Sequence, residues 1–161
     1  MNIVVIPCFD RPEFLHVTLE LISKADNYKD YLYLFQLDYG FDLKNLEVID
    51  NFDAVKVINR TKFTGYREGK QSYNVLSGLI TAAQHTKELV FLIEDDVFIG
   101  KDYFTFHEDL HKKEKDIFCS ILAKNHNMSN DYETLNKENY YYLSSENHYQ
   151  GIGTTFNKAI I

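Results

Sequence analysis

The sequence contains no tryptophan, and only two of its 161 residues are cysteine. So few cysteines exclude a disulfide framework and a zinc site built from several thiolates. Cys8 and Cys119 both fall in apolar runs, and we expect them to be reduced residues of the core. The length is enough for one domain with a sizeable core and short for two, so we predict a single domain over 1–161.

Positive charge is also scarce, since 17 Lys and Arg face 24 Asp and Glu and the net charge is −7. This balance excludes nucleic acid as a partner of the surface as a whole, although a local positive pocket could still hold a small anion. Long apolar runs are missing too, so we expect no membrane segment. The chain starts with "MNIVVIPCF", which is typical of a strand, and we expect no export signal and a cytoplasmic protein by default.

Apolar runs alternate along the chain with segments of helical periodicity. The runs predict strands at 3–9, 31–37, 54–59, 88–93 and 116–122. The segments between them predict helices at 10–25, 71–86 and 102–115. In the second helix we expect a buried stripe made by Tyr73, Leu76, Leu79, Ile80 and Ala83. This alternation predicts an α/β fold with a mostly parallel central sheet flanked by helices.

Three of the predicted strands end in polar residues, which are Asp10 and Arg11, Asp38, and the triplet Glu94, Asp95 and Asp96. The carboxyl ends of parallel strands lie at one edge of a sheet, where ligands of such folds bind. Neighbouring carboxylates repel one another unless a positive group compensates them, and Mg²⁺ or Mn²⁺ prefers oxygen ligands of this kind. Arg11 suits a phosphate. Acidic residues are also common in turns and helix caps, and this alternative stays open here.

Several short motifs follow a recognisable order over nearly the whole chain, namely "CFDRPEFLHVTLELI", "FQLDYG", "FTGYREGKQSYNVL", "EDDVFIGKDYF", "CSILAKNHN" and "YQGIGTTF". In this order they resemble GT-A glycosyltransferases of the N-acetylglucosaminyltransferase I type. The acidic triplet would be that family's "DxD" motif. The resemblance implies the GT-A fold, a Rossmann-like fold of nucleotide-diphospho-sugar transferases. It also implies metal-dependent transfer of a sugar, most simply GlcNAc, from a UDP-sugar to an acceptor hydroxyl, with inversion.

The same resemblance implies roles for the polar residues at the strand ends. Asp96 would be the direct ligand of Mn²⁺ or Mg²⁺. The donor would be bound by Asp10, Arg11, Asp38, Glu94 and Asp95. Among these, Arg11 would pair with the diphosphate, Asp38 would contact the uracil edge, and Glu94 and Asp95 would face the donor sugar and the ribose. The partners would be a nucleotide-sugar donor and a glycan or another hydroxyl acceptor.

Two departures from the family pattern bear on function. Ser72 stands where the family has a histidine beside the uracil. The family's catalytic base lies in a continuation beyond the position of Ile161, so the base is unassigned, and the late acids Asp131, Glu133, Glu138 and Glu146 are expected to be loop residues. The missing base favours an alternative, a non-catalytic module that binds a sugar nucleotide or carbohydrate. A nucleotidyltransferase would carry a glycine-rich loop after the first strand, which "PCFDRPEF" lacks.

Two further features invite a functional interpretation. His107 and His111 lie four residues apart on one predicted helix face, but no glutamate is placed as in a zinc protease, and we predict a solvated face. The run Tyr140–Tyr142 lies in a polar, Asn-rich segment, 124–149, that we expect to be a long loop region. These tyrosines could stack on a sugar, and packing as an edge strand is favoured slightly.

Overall fold

The computed structural model describes residues 1–59, 62–65, 67–86, 88–114, 119–121 and 154–157. The strands are β1 (Ile3–Cys8), β2 (Leu32–Leu37), β3 (Ala54–Ile58), β4 (Leu89–Leu92), β5 (Cys119–Ile121) and β6 (Thr154–Asn157). The helices are α1 (Pro12–Lys24), α2 (Lys44–Ile49), α3 (Arg67–His85) and α4 (Tyr103–Lys113), with a short 3₁₀ helix at Tyr28–Asp30.

The six strands form one sheet in the order β3-β2-β1-β4-β6-β5. Strands β3, β2, β1 and β4 run parallel, while β6 runs antiparallel to both of its neighbours, β4 and β5. The prediction of an α/β fold with a mostly parallel sheet is therefore confirmed. The first four strands lie within two residues of their predicted limits. Helix α2 and strand β6 were not predicted, since each is only four to six residues long.

Both faces of the sheet are buried, which explains why its central strands are unbroken apolar runs. Side chains that alternate along β1, β2 and β4 contribute to two separate cores. The larger core lies under α1 and α4 and includes Val4, Ile6, Phe35, Phe91 and Phe104. The second core lies under α3 and includes Ile3, Val5, Leu34, Val75 and Leu79. Helices thus cover both faces and leave the carboxyl ends of the strands for a site.

The predicted buried stripe of α3 is wrong in part. Leu79 is buried, but Tyr73, Leu76 and Ile80 are between 44% and 56% exposed. The residues that contact the sheet are instead Val75, Leu79 and Ala82. Two apolar stripes lie side by side on this helix, and helical periodicity does not reveal which of them faces the sheet.

The prediction that His107 lies on a solvated helix face is also wrong. His107 is fully buried, and its Nδ1 lies 2.5 Å from Ser120 Oγ on β5. The Nε2 atom of His111 lies 3.0 Å from the same oxygen. The stripe of α4 that contains Tyr103 and His107 faces the strands, since both rings lie beside Phe91 of β4. Burial lowers the pKa of His107 to about 3, and the neighbouring His111 adds to the shift.

Of the two cysteines, only Cys8 has a side chain among the described residues. Cys8 is a buried free thiol, as predicted, and burial raises its pKa well above the ordinary value. The side chain of Cys119 and the segment 124–149, with Tyr140–Tyr142, lie outside the described residues. Within the described part of the chain, no helix is both long and apolar enough to cross a membrane.

Candidate functional site

Arg11 joins two of the three consecutive carboxylates at the end of β4. It is the residue that precedes α1, and its guanidinium donates through Nη2 to Asp95 Oδ1 at 2.5 Å and through Nη1 to Asp96 Oδ2. The Asp95 side chain is 3% exposed, whereas those of Arg11 and Asp96 are 40% and 38% exposed. One cation thus compensates a buried and an exposed carboxylate.

The backbone around Asp95 is fixed by hydrogen bonds. Val97 N–H donates to the Glu94 carbonyl at 3.1 Å, which closes a turn directly after β4. The hydroxyl of Thr18, on α1, donates to the Asp95 carbonyl at 3.0 Å. Because α1 and the turn are bonded to each other, the carboxylates are held in place by the scaffold of the domain.

Burial dominates the electrostatics of the triplet. It raises the pKa of Asp95 to about 6, although Arg11 and the Phe9 N–H oppose the shift. Burial also raises the pKa of Glu94, and the charges of Asp96 and Asp95 add to it. Partial burial lowers the pKa of Arg11, but the two aspartates outweigh this effect and raise it above the ordinary value. Three consecutive acids lie here beside one guanidinium, a balance that a further cation would improve.

Asp38 lies at the end of β2, where the chain turns sharply. Phe41 N–H donates to the Asp38 carbonyl at 3.2 Å, and Gly40 within this turn has a φ of +76°. Glycine adopts this backbone conformation without the strain that a side chain would cause. The turn holds the Asp38 carboxylate, which is 6% exposed, against the N–H of Tyr39 at 2.7 Å.

The end of β1, at Cys8 and Phe9, lies between Asp38 and the acidic triplet. The Asp38 N–H donates to the carbonyl of Cys8, and the backbone N–H of Phe9, the next residue, lowers the pKa of Asp95. Asp38 and Asp95 therefore lie on either side of the end of β1, because they follow its two neighbours in the sheet, β2 and β4. The polar strand ends share one edge of the sheet.

Lys70 is a residue of this site that the sequence did not reveal. Its Nζ lies 3.4 Å from Asp38 Oδ2 and 3.5 Å from the centroid of the Phe9 ring. Its position in the first turn of α3 could have indicated a nearby acid, because a cation there opposes the helix dipole and needs a compensating contact.

Other predicted positions contribute less or lie outside the described residues. Asp10 is exposed at the end of β1 and makes no polar side-chain contact with the other candidates in the described structure. Ser72 is described and exposed on α3. Nothing is described for Tyr66, Asn125, Asn127, Gly151, Gly153 or the late acids Asp131, Glu133, Glu138 and Glu146.

The residues present fit a divalent cation that a substrate helps to hold. No group of three or more His, Cys, Asp and Glu side chains is arranged as a metal cage in the described ranges. Mg²⁺ and Mn²⁺ need no such cage, because one or two carboxylates together with phosphates and water complete their shell. Asp96 offers such a carboxylate, partly exposed at this edge of the sheet.

Comparison with solved structures identifies the fold. The chain superposes on S. aureus TarS in complex with UDP with a TM-score of 0.54 at 13% identity, covering 71% of this chain and 32% of that one. A mannosyltransferase from Pyrobaculum calidifontis, solved with GDP-Man and Mn²⁺, gives a TM-score of 0.56 at 14% identity, with coverages of 77% and 35%. This chain thus spans about a third of the length of both.

A third match is the 4-diphosphocytidyl-2C-methyl-D-erythritol synthase of Anaerococcus prevotii, with a TM-score of 0.54 at 13% identity over 99% of this chain and 71% of that one. No known protein-family profile matches the sequence, and no curated protein matches it. Identities this low demonstrate the fold alone. The chain has the GT-A, Rossmann-like fold of nucleotide-diphospho-sugar transferases.

Proposed function

We propose that residues 1–161 form one nucleotide-sugar-binding domain of a metal-dependent glycosyltransferase that uses a UDP-sugar as its donor. The observation that carries the proposal is the Arg11 bridge to Asp95 and Asp96, at the edge of the sheet where this fold binds ligands. Two neighbours in the same fold support it, because one was solved with UDP and the other with GDP-Man and Mn²⁺.

In this proposal the donor lies along the carboxyl edge of the sheet. Asp38 accepts a hydrogen bond from the uracil, and Asp95 and Glu94 face the ribose and the donor sugar. Arg11 directs part of its guanidinium toward the diphosphate, because the planar N–H donors of a guanidinium match the oxygens of a phosphate well. Asp10, exposed beside Arg11, completes the donor-binding residues.

Transfer of the sugar breaks its bond to the diphosphate, so negative charge grows on the leaving phosphate oxygens. Arg11 stabilises this charge where it develops, which is often the largest contribution to catalysis. A divalent ion held by Asp96, when bound, supplies further Lewis-acid stabilisation of the same oxygens. The resemblance adds two finer expectations, GlcNAc as the transferred sugar and attack of the acceptor hydroxyl with inversion. The residue that removes the proton of the acceptor is unassigned.

Calorimetric titration with UDP, with and without Mn²⁺, tests the proposal. The protein should bind UDP, and Mn²⁺ should tighten the binding. Asp96→Asn should abolish the Mn²⁺ effect. Asp109→Asn is a matched control on α4, since that carboxylate is 78% exposed and pairs only with Lys112 among the described contacts. Absence of UDP binding under both conditions would contradict the proposal.

Release of UDP from UDP-GlcNAc separates an enzyme from a binding module. A transferase should hydrolyse its donor slowly in the absence of an acceptor, and Asp96→Ala should abolish this activity. Binding of UDP without any hydrolysis or transfer would favour the non-catalytic module. Parallel assays with other UDP-sugars test the preference for GlcNAc.

A further inference from the structure

We propose that Lys70 reads the base of the nucleotide together with Asp38, as a hydrogen-bond donor to a carbonyl group of uracil. The inference rests on the proposed function, because it takes Asp38 as the acceptor for the uracil ring N–H. It gives Lys70, on α3, a role in base specificity, because α3 brings the Lys70 ammonium next to the buried carboxylate of Asp38.

The contacts of Lys70 leave it suited to this role. Its Nζ lies 3.4 Å from Asp38 Oδ2, which is an ion pair but longer than a strong charge-assisted hydrogen bond. The same atom lies over the Phe9 ring, which steadies the ammonium without accepting a directed hydrogen bond from it. The Lys70 side chain is 28% exposed, against 6% for Asp38, so the pair opens toward solvent on the side of Lys70.

An amide network fixes the part of α3 that carries Lys70. Asn74, one turn further along the same helix face, donates through Nδ2 to the carbonyl of Gln36 on β2 at 3.1 Å. Its Oδ1 accepts from Asn59 Nδ2 at 2.7 Å, and Gln36 Nε2 donates to Asn59 Oδ1 at 3.0 Å. Asn74 and Gln36 are both buried. The helix is therefore bonded to β2 two residues before Asp38, which places Lys70 beside it.

The chemistry of the pair selects among bases. The uracil ring N–H is flanked by a carbonyl on each side, so a base that donates to Asp38 presents a carbonyl to Lys70 in either orientation. An ammonium only donates and a carboxylate only accepts. Cytosine in the same pose turns a ring lone pair toward Asp38, which is unfavourable, and it has an amino group in place of one of the two carbonyls, so Lys70 finds an acceptor on one flank only. The pair should therefore favour uracil over cytosine.

Equilibrium binding of UDP and CDP, which differ only at this edge, tests the inference. The wild-type protein should prefer UDP by about tenfold or more, the size of one well-formed bidentate contact to a base. Lys70→Met keeps the apolar stem over Phe9 and removes the donor. It should weaken UDP binding about tenfold while changing CDP binding little, so the preference falls about tenfold, to what Asp38 alone provides. Lys70→Arg, which still donates, should retain part of the preference.

Lys24→Met is the matched control, since Lys24 is exposed at the end of α1 and pairs with Glu20. It should leave both affinities unchanged, and thermal melting should show that all variants are folded. Equal weakening of UDP and CDP by Lys70→Met would mean that Lys70 binds the phosphates, and would overturn the inference. An unchanged preference would overturn it as well. Failure of the wild-type protein to bind either nucleotide would instead contradict the proposed function, and the inference with it.

Discussion

The guanidinium of Arg11 lies 2.5 Å from the carboxylate of Asp95, although 84 residues separate them in the sequence. The contact joins the start of α1 to the turn after β4 and compensates a carboxylate that is 3% exposed. An aspartate that is almost completely buried is unfavourable without such a partner. Stability therefore depends on the same side chain to which the proposed function assigns the diphosphate of the donor.

Arg11→Gln should destabilise the protein because it leaves the Asp95 charge buried without its guanidinium. We expect the free energy of unfolding to fall by about 1–3 kcal/mol, less than for a fully buried pair because Arg11 is partly exposed. Urea denaturation at pH 8 measures the change. Combining Arg11→Gln with Asp95→Asn should recover part of the loss, which a double-mutant cycle detects.

The control for this prediction is Lys24→Gln, which breaks the exposed Lys24–Glu20 pair on α1. An exposed pair four residues apart contributes about 0.3–0.5 kcal/mol. If Arg11→Gln costs no more than Lys24→Gln, the compensation of Asp95 by Arg11 has little energetic importance, contrary to our account.

The free energy of unfolding should fall at acidic pH because His107 is buried in its neutral form. Its folded pKa, about 3, lies below the ordinary value of 6.5, so the unfolded chain binds a proton first as the pH falls. The stabilisation that comes from burying a neutral His107 is thus present above pH 6.5, and it is lost as the pH falls toward 3. Between pH 7.5 and pH 5 it should lower the free energy of unfolding by about 2 kcal/mol.

His107→Gln should reduce that pH dependence by a similar amount, whatever its effect on stability at neutral pH. Urea denaturation of both proteins at pH 7.5 and pH 5 gives the four free energies required. Equal pH dependence in the wild type and in His107→Gln would contradict the burial of a neutral His107.

Gly78→Ala should destabilise the protein even though alanine is the better helix former by about 1 kcal/mol. A Cβ atom at this position would lie 2.7 Å from Val5 Cγ1 and 3.2 Å from Gln36 Cβ, both on the sheet beneath α3. The branched Val5 side chain is buried and has no room to move aside. We expect a net loss of about 1–3 kcal/mol from overpacking, measured by urea denaturation.

Gly69→Ala in the same helix is the comparison for Gly78. There the added Cβ meets only the outer end of the Phe63 ring, at 2.9 Å, and this half-buried side chain can turn away. The substitution should be neutral or slightly stabilising. If Gly78→Ala behaves in the same way, α3 does not approach the sheet as closely as the structure indicates.

The sequence was sufficient to predict the central strands and the common edge of their polar ends. Both predictions rest on local signals, since buried parallel strands are apolar throughout and their carboxyl ends lie on one side. Arg11, Asp95 and Asp96 could thus be placed close together, although the pairing of one guanidinium with both carboxylates could not be predicted. Its geometry depends on how α1 packs against the turn after β4.

Lys70 and His107 show what the sequence did not reveal. Each is a polar residue whose environment is created by a distant segment, Asp38 for Lys70 and Ser120 for His107. Helical periodicity assigns a residue to a face of its helix, but it does not reveal what covers that face. For the same reason the exposed stripe of α3 could not be distinguished from the buried one.

The central claim is that Mn²⁺ and UDP share a site at the carboxyl edge of the sheet, beside Asp96. Paramagnetic line broadening in nuclear magnetic resonance spectra of the ¹⁵N-labelled protein tests it most directly, with Mg²⁺ as the diamagnetic reference. With Mn²⁺ and UDP added, the account predicts strong broadening of the amide signals of Arg11 and residues 94–97, and little at the opposite edge around Asn2 and Ala25. Broadening centred elsewhere, such as at His111, or no UDP-dependent broadening at all, would contradict it.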